Sequence, residues 1–254
     1  MSTDFVPELI TRTGASRHPA VPRESAEQQA ARYFAASTRN HEMTVLHDDG
    51  VYRHIRCAEP GTGIWSWTLT TWPGHLCIDG DLESYTFARI DDMFEFFALR
   101  GGGINPSYWA EKITNRDAGR GTRKFSSEKA KAAVVADFLE QRHYHTRDTA
   151  DVFRDLRYYV LDQIEHFDES EFYAVLNDWR YLGGWQFEDL GDWDVRDWDC
   201  HYLYACHAIA WGIAEYRKAA QSGSVDHKAG DAAPEAPTSE AVAAEIVAQY
   251  EGSE

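Results

Sequence analysis

Histidines and carboxylates gather in one short stretch of this chain: His47, Asp48 and Asp49, then His54, then His75, Asp79 and Asp81. Imidazole with carboxylate is a working set for general acid–base catalysis or for a divalent metal, since one group exchanges protons near neutral pH and the other holds charge. On that reading the candidate catalytic residues are His47, Asp48, His54, His75 and Asp81. Their contexts argue the other way. Asp48-Asp49-Gly50 and Asp79-Gly80-Asp81 are common turn chemistry, and the histidines lack the spacing that would bring three ligands to one ion. No metal and no cofactor is expected, and the balance leans against an enzyme.

Two further segments combine charge with aromatic rings or with glycine. Gly191 to Asp199 contains two Asp-Trp-Asp triplets. Trp193 and Trp198 are candidate anchors for a basic protein surface, with the acids as a charged rim; the bland reading places both rings in the core. Thr114 to Phe125 is polar and Gly-containing and carries Arg116, Arg120, Arg123 and Lys124, a basic loop in an acidic chain. It is the one place a phosphate could dock, although no strand-to-helix context builds a cradle there, so a solvated connection is favoured. Cys200, His201, Cys206 and His207 invite a metal reading, but Cys200 and His207 would lie two helical turns apart, too far for one tetrahedral ion. Trp65, Trp67 and Trp72 could stack a base or sugar; without a basic groove, core packing is favoured. Phosphate loop, nucleophile elbow, zinc signature and dinucleotide fingerprint are all missing.

The elements that must position these residues are legible from periodicity. His41 to His47, the turn Asp48-Asp49-Gly50, and Val51 to Cys57 form a hairpin signal. Ile64 to Thr71, His75 to Asp79 and Ser84 to Ala88 extend it into an antiparallel meander of about five strands, since such strands need only short links. Asp91 and Asp92 suit a helix start for Met93, Phe94, Phe96 and Phe97, and Asn105-Pro106 starts another carrying Tyr108, Trp109 and Ile113. From Ser126 the spacing turns helical: Ala130, Val134, Phe138; then Val152, Leu156, Tyr159, Val160; then Phe172, Val175, Leu176, Trp179. Asp197 to Lys218 is apolar on several sides and predicts a mostly buried helix.

Composition bounds the rest. In 254 residues, 43% are hydrophobic and 13% aromatic, too much apolar area to stay unfolded. A formal charge of −17, from 42 acidic and 25 basic residues, repels a phosphate backbone and disfavours nonspecific nucleic-acid binding. The N-terminus has no basic start followed by an apolar run, and no window is long enough to span a bilayer, so a cytoplasmic protein is expected. Cys57, Cys77, Cys200 and Cys206 lack paired spacing and are expected as reduced thiols. Residues 1–25 read as a flexible segment, 26–220 as one α+β domain with sheet and helices sharing a core, and 221–254 as an acidic tail in which Val242, Ile246 and Tyr250 share one helical face.

A set of ordered motifs adds context: His41-x-Met43-Thr-Val-Leu-x-Asp-Asp-Gly-x-Tyr52-Arg-His, Thr71-Trp-Pro-Gly-His-Leu-x-Ile-x-Gly-Asp81, Tyr85-x-Phe87-x-Arg89, Asp92-Met-Phe-x-Phe-Phe97 and Ile104-Asn-Pro-x-Tyr-Trp-x-Glu-Lys112. Over residues 41–180 the chain resembles a group of uncharacterised proteins of tailed bacteriophages and prophages. Where such proteins are expected to read Gly-Asp-Met-Gly, this chain has Gly80-Asp81-Leu82-Glu83. The resemblance implies no activity. It implies a phage accessory protein in the host bacterial cytoplasm, one that binds and modulates a host or phage macromolecule, with action against a defence system as one such role, a protein partner expected and an oligomeric state left open. An enzyme or small-ligand binder using the His/Asp cluster is the alternative, and a minor virion component the third.

Overall fold

The alternating stretch folds as strands, one more than the sequence predicts. A computed structural model describes residues 24–98, 103–118, 121–144 and 149–223. Strands β1 (Glu42–Asp49), β2 (Tyr52–Ala58), β3 (Trp67–Trp72), β4 (His75–Gly80), β5 (Tyr85–Ala88) and β6 (Ile113–Arg116) form an antiparallel sheet in the order β1-β2-β3-β4-β5-β6. Successive side chains of a strand point to opposite faces, and burial alternates accordingly. Val45, Ile55, Cys57, Trp67, Leu69, Leu76, Ile78, Tyr85 and Phe87 point inward and are buried.

That inner face is covered by α1 (Ala26–Ser37), α2 (Met93–Phe97), α3 (Pro106–Ala110) and, after the second half of the chain, α7 (Cys200–Ser222). The predicted last helix is confirmed as largely buried, through Tyr202, Leu203, Ala205, Cys206, Ala208, Ile209, Gly212 and Ile213. It runs to Ser222, and Asp199 caps its first turn by accepting from the His201 amide. Its approach to the sheet is close: a Cβ at Gly212 would stand 2.8 Å from Leu69 Cδ1. Tyr202 donates its hydroxyl to the Pro106 carbonyl at 2.7 Å and so ties α7 to α3. Each fully buried Leu, Ile or Phe of this core contributes on the order of 1.5–3 kcal/mol.

The helices α4 (Ser127–Gln141), α5 (Thr149–Leu156) and α6 (Glu169–Asp178) build a separate cluster. Ala130, Val134, Phe138, Val152, Leu156, Val160, Phe172 and Leu176 fill it, together with Trp185, Phe187, Leu190 and Val195. The sequence suggested one shared core; the buried residues instead fall into two. Three of the four positions predicted in the second segment are buried, but Tyr159 is 58% exposed. The reason is a π-helical turn, Arg157–Leu161, whose wider pitch carries Leu156, Val160 and Ile164 inward and turns Tyr159 out.

The basic loop is the second departure. Ile113 ends no helix; it opens β6, opposite Phe87. Residues Arg123–Phe125 form β7, which follows Gly121 and pairs antiparallel with Arg196–Trp198. Two short strands, Arg180–Tyr181 (β8) and Trp185–Gln186 (β9), close a hairpin between α6 and that segment, which makes Arg196–Trp198 β10. Arg120, residues 1–23 and the acidic tail beyond Gly223 lie outside the described residues.

Where α1 meets α7, aromatic and imidazole rings stack in series. His207 packs on Phe34 at 5.7 Å, Phe34 on Trp67 at 5.8 Å, and Trp67 on His41 at 5.3 Å. His207 Nε2 is buried with no hydrogen-bond partner among the described residues, and burial pulls this imidazole below its ordinary pKa. The folded chain therefore resists a proton that the unfolded chain accepts near pH 6.5, roughly. Stability is complete above that pH and is lost as pH falls through it toward the lower folded value. Urea titrations between about pH 7.5 and about pH 5 are expected to show a falling midpoint for the native chain and a flatter dependence for His207→Phe, which keeps the ring and removes the titration.

Candidate functional site

The six strands leave one face without a covering element among the described residues. By the register, that face carries Thr44, His47 and Asp49 on β1, Tyr52, His54 and Arg56 on β2, Thr68, Thr70 and Trp72 on β3, His75, Cys77 and Asp79 on β4, and Thr86 on β5. None of these side chains is buried, although those of the inner face are. Three of the histidines picked out by sequence, His47, His54 and His75, thus share one face.

They do not form a catalytic constellation. His54 sits opposite His47, while His75 stacks on Trp72 with ring centroids 5.1 Å apart and its Nδ1 lies 3.1 Å from the Pro73 carbonyl. Three of the carboxylates are engaged in contacts within the chain, and Asp49, opposite Tyr52 at the end of β1, is exposed. Asp81 accepts from the Ser66 amide, and Asp79 accepts from the Gly80 amide and the Ser84 hydroxyl. Asp48 points to the inner face, where both its oxygens accept the Tyr216 hydroxyl of α7 at 2.9 Å. No group of three or more His, Cys, Asp or Glu among the described residues could hold a metal ion. Nor is there an activated thiol in the sheet or its core: burial pushes Cys57, Cys77 and Cys206 upward and keeps them protonated.

Sequence reasoning missed the strongest polar cluster. Arg53 lies between Tyr52 and His54 on β2 and so faces inward, with its side chain only 12% exposed. Its two terminal nitrogens donate to the two Asp92 oxygens at 2.9 Å each. Asp92 is also the N-cap of α2, accepting from the Phe94 amide. The guanidinium lies 4.8 Å from the Phe94 ring centroid and 5.5 Å from that of Tyr216. Burial works to raise the Asp92 pKa, but the hydrogen bonds from Arg53 and the Phe94 amide outweigh it and hold the carboxyl below its usual range. One signal was available: the strand alternation puts residue 53 on the same face as Ile55, where an arginine needs an acidic partner.

The two charged segments flagged as binding candidates meet each other. Because β7 pairs with β10, Arg123 sits over the Trp198 ring at 4.5 Å and reaches Asp194 at 3.5 Å. Lys124 lies 3.8 Å from Asp199, and Lys129 holds Asp194 at 3.2 Å and the Arg196 carbonyl at 2.8 Å. Trp193 packs edge-on against Phe187, and Trp198 lies tilted against Tyr202. The basic loop and the acidic aromatic segment therefore neutralise one another within the chain. Arg116, at the end of β6 opposite Tyr85, stays exposed. These surface pairs are weak individually; Asp194→Ala is expected to shift stability by less than about 1 kcal/mol in urea denaturation.

No family model, no curated protein and no solved structure matches this chain.

Proposed function

We propose that this chain is a non-enzymatic binding protein that holds a protein partner against the uncovered face of its sheet. One observation carries the reading: Asp48, Asp79, Asp81 and Arg53 are engaged in contacts within the chain, while no element among the described residues covers the outer face of the sheet. That face presents Tyr52, 51% exposed, with Arg56, Trp72 and His75. Tyrosine, tryptophan and arginine are the residues that dominate binding energy at protein interfaces. A formal charge of −17 supports a protein over a phosphate backbone as the occupant. No helix of the described residues is long and apolar enough to cross a membrane. With the resemblance to phage and prophage proteins, the proposed setting is the cytoplasm of a host bacterium, where the chain would modulate a host or phage macromolecule, for instance one that serves defence.

The test is affinity capture from infected bacteria with the native chain and with the Tyr52→Glu, Arg56→Glu double variant, both checked for a native circular dichroism spectrum. Both positions are exposed, so the fold should survive the change. A stoichiometric protein captured by the native chain and lost from the variant is the expected result. Equal capture by both, or no stoichiometric partner for either, overturns the proposal.

A further inference from the structure

The β1–β2 register contains an irregularity that changes what the uncovered face can bind. Val45 pairs with Ile55, and the next pair is His47 with His54, so Leu46 is the extra residue of a bulge. An uninterrupted register would set Leu46 opposite His54 and turn His47 inward, opposite Arg53. The bulge instead carries His47 to the outer face and places the two imidazoles directly across from each other. Bulges re-aim side chains in this way and concentrate beside functional sites.

We propose that His47 and His54 form a two-imidazole chelate for a late first-row divalent cation, zinc above all. Directly opposed residues of an antiparallel pair have Cβ atoms about 4.5–5.5 Å apart. Two imidazoles rooted at that separation can converge on an ion with zinc–nitrogen distances of about 2.0–2.1 Å. The rings are also available. Among the described residues neither is hydrogen-bonded, whereas His75 is placed against the Pro73 carbonyl, His41 against the Trp65 carbonyl and His201 beside Glu83. Imidazole donors select zinc, nickel and copper over magnesium and calcium, which prefer oxygen.

Two protein ligands leave coordination positions open, and no third His, Cys, Asp or Glu among the described residues completes the set. The ion would therefore carry exchangeable water on the face that the proposed partner covers. The chelate does not depend on that partner, and it is tested with the metal alone.

Zinc is titrated into the untagged full chain at neutral pH and followed by calorimetry and by the nitrogen shifts of the histidine rings. The expected result is one more saturable zinc ion for the native chain than for the His47→Ala, His54→Ala double variant, with two imidazoles perturbed. Each single variant should weaken that ion by roughly tenfold or more, and magnesium should displace none of it. Zinc uptake that is the same in the double variant, or that perturbs histidines other than this pair, overturns the assignment. Failure of the capture experiment with zinc still bound removes the docking reading and leaves the chelate standing.

Discussion

Replacing Arg53 with alanine is expected to lower the unfolding free energy by about 3 kcal/mol, read as a drop in the urea midpoint with an unchanged slope. Removing one member of a largely buried ion pair leaves the other desolvated and uncompensated, which usually costs about 3–5 kcal/mol; the partial exposure of Asp92 places this case at the lower end. The guanidinium joins elements far apart in the chain: β2 through its own backbone, the cap of α2 through Asp92, and α7 through the Tyr216 ring. Asp92→Ala should lose a similar amount, and the Arg53→Ala, Asp92→Ala double variant should lose less than the sum, because the second substitution removes a group the first has already orphaned. The pair also sets an acid limit. With its folded pKa held below the usual carboxylate range, Asp92 contributes stability that is present above its unfolded pKa and is lost as pH falls through the folded value. Additive losses in the double variant would show that the three elements are held independently of this contact.

Gly80→Ala is the second substitution expected to be severe, at about 2–4 kcal/mol. Gly80 has φ +128°, and a Cβ there would stand 2.5 Å from the Ser66 carbonyl oxygen and 2.9 Å from the Trp67 Cα. Both atoms belong to the backbone, so no rotamer change relieves the contact. The close approach is held by a reciprocal pair of hydrogen bonds, from the Asp81 amide to the Ser66 carbonyl at 3.0 Å and from the Ser66 amide to the Asp81 carboxylate at 3.1 Å. Thermal unfolding of Gly80→Ala beside a Gly63→Ala control, where a Cβ meets nothing within 4 Å, measures the effect. Equal melting temperatures for the two variants would mean that the β3 entry and the β4 exit do not pinch together in solution.

The same turn holds a second residue at positive φ. Glu83 has φ +66°, a left-handed conformation that glycine adopts at least strain. Its carboxylate accepts the Tyr85 hydroxyl at 3.1 Å and lies 3.7 Å from His201 Nδ1, contacts that a glycine could not make.

Local pattern carried the strands, the helix caps at Asp92 and Asn105, and the apolar stripes of α4, α6 and α7, because periodicity and capping depend on neighbours within a few residues. The α+β class followed from those elements. The turn reading of Asp79 matches its contacts with the Gly80 amide and the Ser84 hydroxyl, whereas Asp81 reaches back to the Ser66 amide. What local pattern could not determine was pairing between distant segments. Arg123 and Lys124 looked free, and Trp193 and Trp198 looked like anchors, until β7 met β10 across some seventy residues of chain. β6 was hidden for the same reason: Ile113–Arg116 has no alternation of its own and becomes a strand only beside β5. The Leu46 bulge and the π turn at Arg157–Leu161 each shift a register by one residue, which only packing against a partner can select. Which face of the sheet is covered among the described residues was decided by where α7 came to rest.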